Sequence, residues 1–256
     1  MALASYNDIL NRVGGGYAQW QPMWGEMPAA SVAFSGNASS WQRIGFTADM
    51  VSGLPSGVTD YLIASAYFST NRQDGYLLAK LVNLGSLDIS GASGTFTDGS
   101  AMPSEIELGN STATISGPVI AEVTTALNSN AGTFTITYKN QAGTGSQVSV
   151  SQTLPNSAPI RSAGWVTLAS GDSGVQDITA AARAAGSSPT GVVKFWGAIP
   201  LGILMSPGSN QLSYRNFLTS GFNPYSLGAG DTVGMFSMGG TNTRAVSGGL
   251  FIVGGS

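Results

Sequence analysis

AGTFTITYKNQAGTGSQVSVSQT, residues Ala131 to Thr153, carries the clearest structural pattern in the chain. Phe134, Ile136 and Tyr138 alternate with Thr133, Thr135 and Thr137. Successive side chains leave a strand on opposite faces, so this period of two is that of a half-buried strand. The return arm carries Val148 and Val150 on one face and Gln147 and Ser149 on the other. A three-residue loop, Gln141-Ala142-Gly143, sets Phe134 opposite Val150 and Ile136 opposite Val148. Gly143 then ends the loop, where a left-handed residue and a bulge are usual. Pattern and turn chemistry together predict a β-hairpin whose Phe134, Ile136 and Tyr138 enter a core. Its threonine face has no charge between Thr133 and Thr137. That face is either an outer surface or one buried by a second layer or subunit.

Outward from the hairpin the chain is a series of short apolar runs separated by glycine-bearing turns. Strands are expected at Ser31–Phe34, Trp41–Phe46, Tyr61–Phe68 and Tyr76–Leu84. Tyr61 to Phe68 is apolar on both faces, as a central, doubly covered strand is. Leu84 to Pro103 reads as edge strands and loops. Short strands follow at Glu107–Gly109, Ala113–Ile115 and Val119–Leu127, then beyond the hairpin at Trp165–Leu168 and Val175–Ile178. A helical turn is expected over Thr179–Ala185, closed by Gly186 and Pro189. Val192 to Met205 reads as two strands bent at Gly197 to Pro200. Further strands are expected near Leu212–Phe217, Thr232–Met238 and Gly249–Val253. Many short strands with 36 glycines in 256 residues predict an all-β sandwich of jelly-roll type.

Two units follow from this pass. Residues 1–30 form an N-terminal helix and aromatic arm, and residues 31–256 a single sandwich domain. Ser5 to Val13 can start a short helix, with Ser5 as N-cap and Gly14-Gly15-Gly16 as its stop. Tyr17 to Met27 is aromatic, proline-broken and without period. It is either a strand lead-in packed on its own domain or an arm laid over a neighbouring subunit. Tyr17, Trp20, Met23 and Trp24 are the candidate interface residues, since aromatic side chains bury large areas and keep a polar handle.

Composition excludes several functions. The chain has no histidine and no cysteine, so histidine- or cysteine-based nucleophile systems, thiolate and histidine metal sites, and disulfides are all absent. Ten basic residues are scattered along the chain and the net charge is −3, which argues against nucleic acid and against a charged membrane surface as partners. The longest apolar run, Gly191 to Met205, is broken by Lys194 and Pro200 and falls short of the roughly 20 residues of a spanning helix. MALASYNDIL has neither the basic nor the apolar region of a secretory signal. Charged residues make up only 9% of the chain, against roughly 25% in ordinary soluble domains. Such a surface is expected to be buried against other subunits.

Four kinds of motif bear on chemistry. Glu105 and Glu107 share a face if extended, but catalytic carboxylate pairs come from different elements. Gly228 to Gly234 has the glycines of a phosphate loop without its lysine or its helix. Asp98-Gly99-Ser100 and Gly171-Asp172-Ser173-Gly174 offer oxygens to calcium, yet they match no calcium loop and have the composition of turns. Asn37-Ala38-Ser39 and Asn110-Ser111-Thr112 fit the glycosylation triplet, with no secretory signal behind them. No catalytic residue, cofactor or metal site is expected, and the chain reads as a non-enzyme.

Four phrases of the sequence carry a family resemblance: YLLAKLVNLGSLDISGASGTFTDGSAMP (Tyr76–Pro103), TFTITYKNQAG (Thr133–Gly143), SGDSGVQDIT (Ser170–Thr179) and GVVKFWGAIPL (Gly191–Leu201). In them the chain resembles virion structural proteins of tailed bacteriophages over about half its length. The resemblance implies a structural role in a phage head or tail. Acidic and strand-rich, the chain fits an external capsid decoration (cement) protein better than a shell protein facing packaged DNA. The partners implied are the major capsid protein and further copies of itself, as a trimer, on the outer surface of the virion after synthesis in the host cytoplasm. The alternative is a tail or fibre protein that binds a host receptor or glycan, with Trp41 or Trp196 stacking on a sugar ring.

Overall fold

Strand pairing, more than any local propensity, shapes the computed structural model. It describes residues 17–27, 41–43, 45–46, 60–70, 75–103, 115–129, 132–184, 189–205, 212–216, 227–228, 232–237 and 244–255. The strands are β1 (Tyr17–Met27), β2 (Trp41–Arg43), β3 (Gly45–Phe46), β4 (Asp60–Thr70), β5 (Gly75–Asp88), β6 (Thr95–Asp98), β7 (Val119–Thr125), β8 (Thr133–Asn140) and β9 (Gln147–Val148). They continue with β10 (Gln152–Thr153), β11 (Ser162–Trp165), β12 (Val175–Ala184), β13 (Val192–Met205), β14 (Leu212–Asn216), β15 (Leu227–Gly228), β16 (Thr232–Ser237) and β17 (Arg244–Gly255). No helix occurs among the described residues, and the fold is an all-β sandwich.

One layer is the sheet β10-β8-β12, with β9 also on β8; the other is β13-β7-β11-β2-β16-β5-β6. The chain passes back and forth between them, as in a jelly roll: β7 lies in one layer, β8 to β10 in the other, β11 in the first, β12 in the second, β13 in the first. Phe134, Ile136 and Tyr138 of β8 and Val175, Ile178 and Ala181 of β12 pack against Val119, Ala121 and Val123 of β7 and Val193, Phe195 and Ile199 of β13. The Phe134 and Phe195 rings meet across the layers at 5.7 Å between centroids. The core face assigned to the hairpin from its alternation is therefore the core face observed.

The larger sheet also closes on itself. β5 pairs with β13, β13 with β7, β7 with β11, β11 with β2, β2 with β16, and β16 with β5. This six-strand ring has a small core of its own: Leu77, Ala79 and Leu81, Ile120, Ala163, Trp196, Ala198 and Phe236. Alternation on β13 thus serves two cores, with 193 and 195 turned to the sandwich and 196 and 198 to the ring.

β5 must change faces to do the same, and a bulge achieves it. Phe195 is opposite Gly85 and Trp196 opposite Asn83, which leaves Leu84 as the extra residue. Gly85 has φ +130, a conformation L side chains rarely adopt. Before the bulge the odd-numbered Leu77, Ala79 and Leu81 face the ring; after it Leu87 and Ile89 join Leu84 in the sandwich core.

The hairpin loop is the one expected, but its register is not. Gly143 has φ +80 and its N–H donates to the Asn140 carbonyl at 2.9 Å, while Asn140 N–H donates to the Thr144 carbonyl at 2.9 Å. Ser146 then takes φ +59, an unusual value for a residue with a side chain. One extra residue enters here, so Val148 lies opposite Thr137 instead of Ile136, and a second enters before Gln152, which lies opposite Phe134 in place of Val150. A slip of one residue moves a strand's side chains to the other face. Val148 and Val150 are 53% and 50% exposed, while Ser149 is buried and its Oγ accepts from Ile136 N–H at 3.0 Å.

Three further expectations are corrected. Thr179 to Ala185, read as a helical turn, belongs to β12 as far as Ala184, because pairing with Thr133 to Thr137 of β8 overrides the alanine preference for helix. Val192 to Met205 is one strand and not two; Pro200 falls beyond Gly197, where the ladder to β7 ends, and needs no N–H on that side. The strand expected at Trp165–Leu168 ends at Trp165 and begins at Ser162.

A third sheet, β14-β4-β17-β1-β3 with β15 also on β4, uses both ends of the chain. β4 is interior, as its two-faced apolar sequence predicts. The aromatic segment read as lacking a period is β1, paired antiparallel with β17 from Tyr17–Gly254 to Met27–Arg244. The helix candidate Ser5–Val13, the strand candidates Ser31–Phe34 and Glu107–Gly109, and the Glu105/Glu107 pair lie outside the described residues, as do the Asn37 and Asn110 triplets.

Candidate functional site

The residues singled out in the sequence are not gathered into one site. Tyr17, Trp20, Met23 and Trp24 lie along β1 in the third sheet, their side chains outside the description. Gly228 ends β15 and Thr232 begins β16, so a strand follows this glycine run where a phosphate loop needs a helix. Among the described residues no group of three or more acidic side chains converges to hold a metal ion.

Asp172 is instead part of a latch. The Tyr138 hydroxyl donates to Asp172 Oδ2 at 2.6 Å and Asn140 Nδ2 donates to Asp172 Oδ1 at 2.8 Å. Ala169 N–H donates to the Tyr138 hydroxyl at 2.9 Å. Gln141 Oε1 accepts from the N–H groups of Ser173 and Gly174, and Gln176 Nε2 donates to the Gln141 carbonyl. The hairpin loop and the Gly171–Gly174 turn are thereby fused into one tip. Burial, then the bond to Asp172, pushes the Tyr138 phenol up to about 12. The bonds from Tyr138 and Asn140 hold the Asp172 carboxyl below its ordinary 3.8.

That shift has a pH signature. A depressed carboxyl pKa contributes stability above the unfolded-state value and loses it as pH falls through the folded-state value. Tyr138→Phe should therefore lower the unfolding midpoint at neutral pH and differ less from the parent in acid, below the carboxylate range. Denaturant unfolding at the two pH values measures this; an equal loss at both would show that the Asp172 bond is not the cause.

Trp196 was a candidate for stacking on a sugar. The structure removes that role: it is only 5% exposed and lies in the ring core. Its Nε1 donates to Glu122 Oε2 at 2.6 Å, and Lys194 Nζ stands 4.1 Å from the ring centroid. Glu122 and Lys194 are opposite each other on β7 and β13, so the indole sits between an acid and a base brought together by register. Neither charge could be assigned a partner from sequence, because they are 72 residues apart.

The surface that best suits contact with another molecule is the outward face of the four-stranded sheet. Across it, Thr133 is opposite Ala184, Thr135 opposite Ala182 and Thr137 opposite Ala180, with Val148 on the other side of Thr137. On this outward face the first charges along β8 and β12 are Lys139 and Asp177, again opposite each other, while Arg183 of β12 is buried on the other face, opposite Phe134. Burial, then the nearby Asp98, raises the Asp177 pKa. Such a face can be covered without desolvating an unpaired charge.

A scan against protein-family models finds no match, and a search of curated protein sequences finds none either. Among solved structures the chain is similar to the VP2 subviral particle of infectious bursal disease virus, at 8% identity over 94% of this chain and 81% of that one, with a TM-score of 0.20. It is similar also to a mutant VP2 of that virus in T=1 particles, at 9% identity over 93% and 77%, with a TM-score of 0.18. Both are viral particle proteins. TM-scores this low do not establish a common fold.

Proposed function

We propose that this chain is a non-enzymatic structural protein of a virus particle, and more narrowly a decoration (cement) protein on the outside of a tailed-phage head. The observation that carries the reading is the uncharged Thr/Ala/Val face of β8, β9 and β12, in a chain with 9% charged residues. A subunit that binds only the assembled shell stabilises it by its own binding free energy, and many copies multiply modest contacts. The partners proposed are the major capsid protein and, in a trimer, further copies of this chain. Tyr17, Trp20, Met23 and Trp24 are proposed to contribute to the contact. Because β1 is a full strand of the third sheet, point substitutions such as Trp20→Ala and Trp24→Ala test this better than truncation. The alternative of a glycan-binding tail protein loses one of its two stacking candidates with the burial of Trp196.

Location and copy number in intact particles, read by cryo-electron microscopy and quantitative mass spectrometry, test the proposal. Hundreds of copies on the head agree with it; a few copies at the tail overturn it. A second measurement addresses the face. Thr135→Lys, a surface change, should alter stability by less than about 0.5 kcal/mol. It should weaken shell binding by about tenfold or more, since the added charge would be buried without a partner. Unchanged binding would remove this face from the contact.

A further inference from the structure

We infer that Asp98-Gly99, at the end of edge strand β6, is a site of spontaneous isoaspartate formation. The Asp98 carboxylate is turned onto its own chain: Gly99 N–H donates to Asp98 Oδ1 at 2.9 Å. The hydrogen bond holds the carboxyl group against the nitrogen that would attack it. Both residues are exposed, and β6 pairs with β5 on one side only among the described strands. Glycine presents no side chain to obstruct the approach.

In the step itself the Gly99 nitrogen bonds to Asp98 Cγ, the Cγ–OH bond breaks, and the amide proton leaves with that hydroxyl as water. A five-membered succinimide results. Water reopens the ring at either carbonyl. Attack at Cγ restores aspartate; attack at the main-chain carbonyl leaves the backbone running through the former side chain. No oxidant or cofactor enters. The other aspartates whose side chains are described are less disposed to react. Asp88 and Asp177 precede the β-branched Ile89 and Ile178, and Asp172 is held by Tyr138 and Asn140. Conversion inserts one carbon into the main chain between Asp98 and Gly99. That displaces the Asp98–Gly85 pairing and the bond from Ser100 N–H to the Asn83 carbonyl at 2.7 Å.

The test incubates the folded full-length protein in warm, mildly acidic buffer. Isoaspartate is quantified by enzymatic carboxyl methylation and located by electron-based fragmentation of its peptides. Asp98 should convert several-fold faster than Asp88, Asp172 and Asp177 in the same sample. Asp98→Glu should abolish the signal at this position, because closure to a six-membered ring is slow. Mapping distinguishes the site from Asp74-Gly75, whose aspartate lies outside the described residues. Conversion at Asp98 no faster than at the other three would overturn the inference, and the native protein alone decides this should the variant not fold.

Discussion

Replacing Trp196 by alanine should destabilise the protein more than any other single substitution in the described residues. Truncating a buried tryptophan costs about 3–5 kcal/mol through lost burial and the cavity left behind. The indole also donates to Glu122, itself 4% exposed, and losing that hydrogen bond costs roughly 1 kcal/mol more. The lower ends already sum to about 4 kcal/mol, against a total stability of roughly 5–15 for a domain. The variant should be largely unfolded or melt far below the parent. Trp196→Phe keeps most of the volume and loses only the donor, so it should fall between the two. Urea denaturation of all three proteins gives the order; a loss under about 2 kcal/mol for the alanine variant would mean that the ring is not packed around this side chain.

Gly85→Ala is the second large effect, with a different origin. A Cβ at this position would lie 2.6 Å from Phe96 Cε2 and Cζ and 2.8 Å from the Thr97 carbonyl oxygen. The phenyl ring can turn, but the carbonyl belongs to the β5–β6 ladder. The residue must also hold φ +130, where a side chain is strained whatever the space. Strain of about 1–3 kcal/mol with overpacking of about 1–3 kcal/mol predicts a loss of roughly 2–6 kcal/mol. Hydrogen exchange locates it: protection should fall first in β6 and in the Leu84–Asp88 half of β5. Uniform loss across both sheets would instead indicate a global effect unrelated to the bulge.

Both effects arise where one strand serves two cores, and that arrangement explains which parts of the fold were legible. Phe134, Ile136 and Tyr138 were assigned to a core from alternation alone, because β8 faces one core along its whole length. Asn140 to Thr144 was also legible, since Gly143 and the Asn140 side chain close the turn locally. The return arm was not. Val148 and Val150 alternate as faithfully as Phe134 and Ile136, yet Ser146 adds a residue that no periodicity records. Thr179 to Ala185 reads as helix because alanine favours helix, and the partner that makes it a strand begins 46 residues earlier, at Thr133.

The candidate surface was half legible. The lack of charge on Thr133, Thr135 and Thr137 could be read directly. That Ala180, Ala182 and Ala184 extend it depends on the β8–β12 register, and that Val148 joins it depends on the slip at Ser146. Trp196 was ambiguous in the same way, since a tryptophan on an apolar strand suits a core or a binding face. Its neighbours Glu122 and Lys194 decide the matter, and pairing alone makes them neighbours.

The all-β class, the place of most strands, the hairpin loop, the core face of β8 and the exclusion of histidine and cysteine chemistry are therefore all readable from the amino-acid order. These follow from local rules: side-chain alternation, turn residues and composition. Tertiary structure alone decided that one sheet closes into a ring, that Gly85 switches β5 between two cores, that Asp172 latches the hairpin, and that Trp196 is buried. Each of these depends on which distant strands share hydrogen bonds, and a one-residue change of register leaves the local pattern intact while reversing the face every side chain occupies.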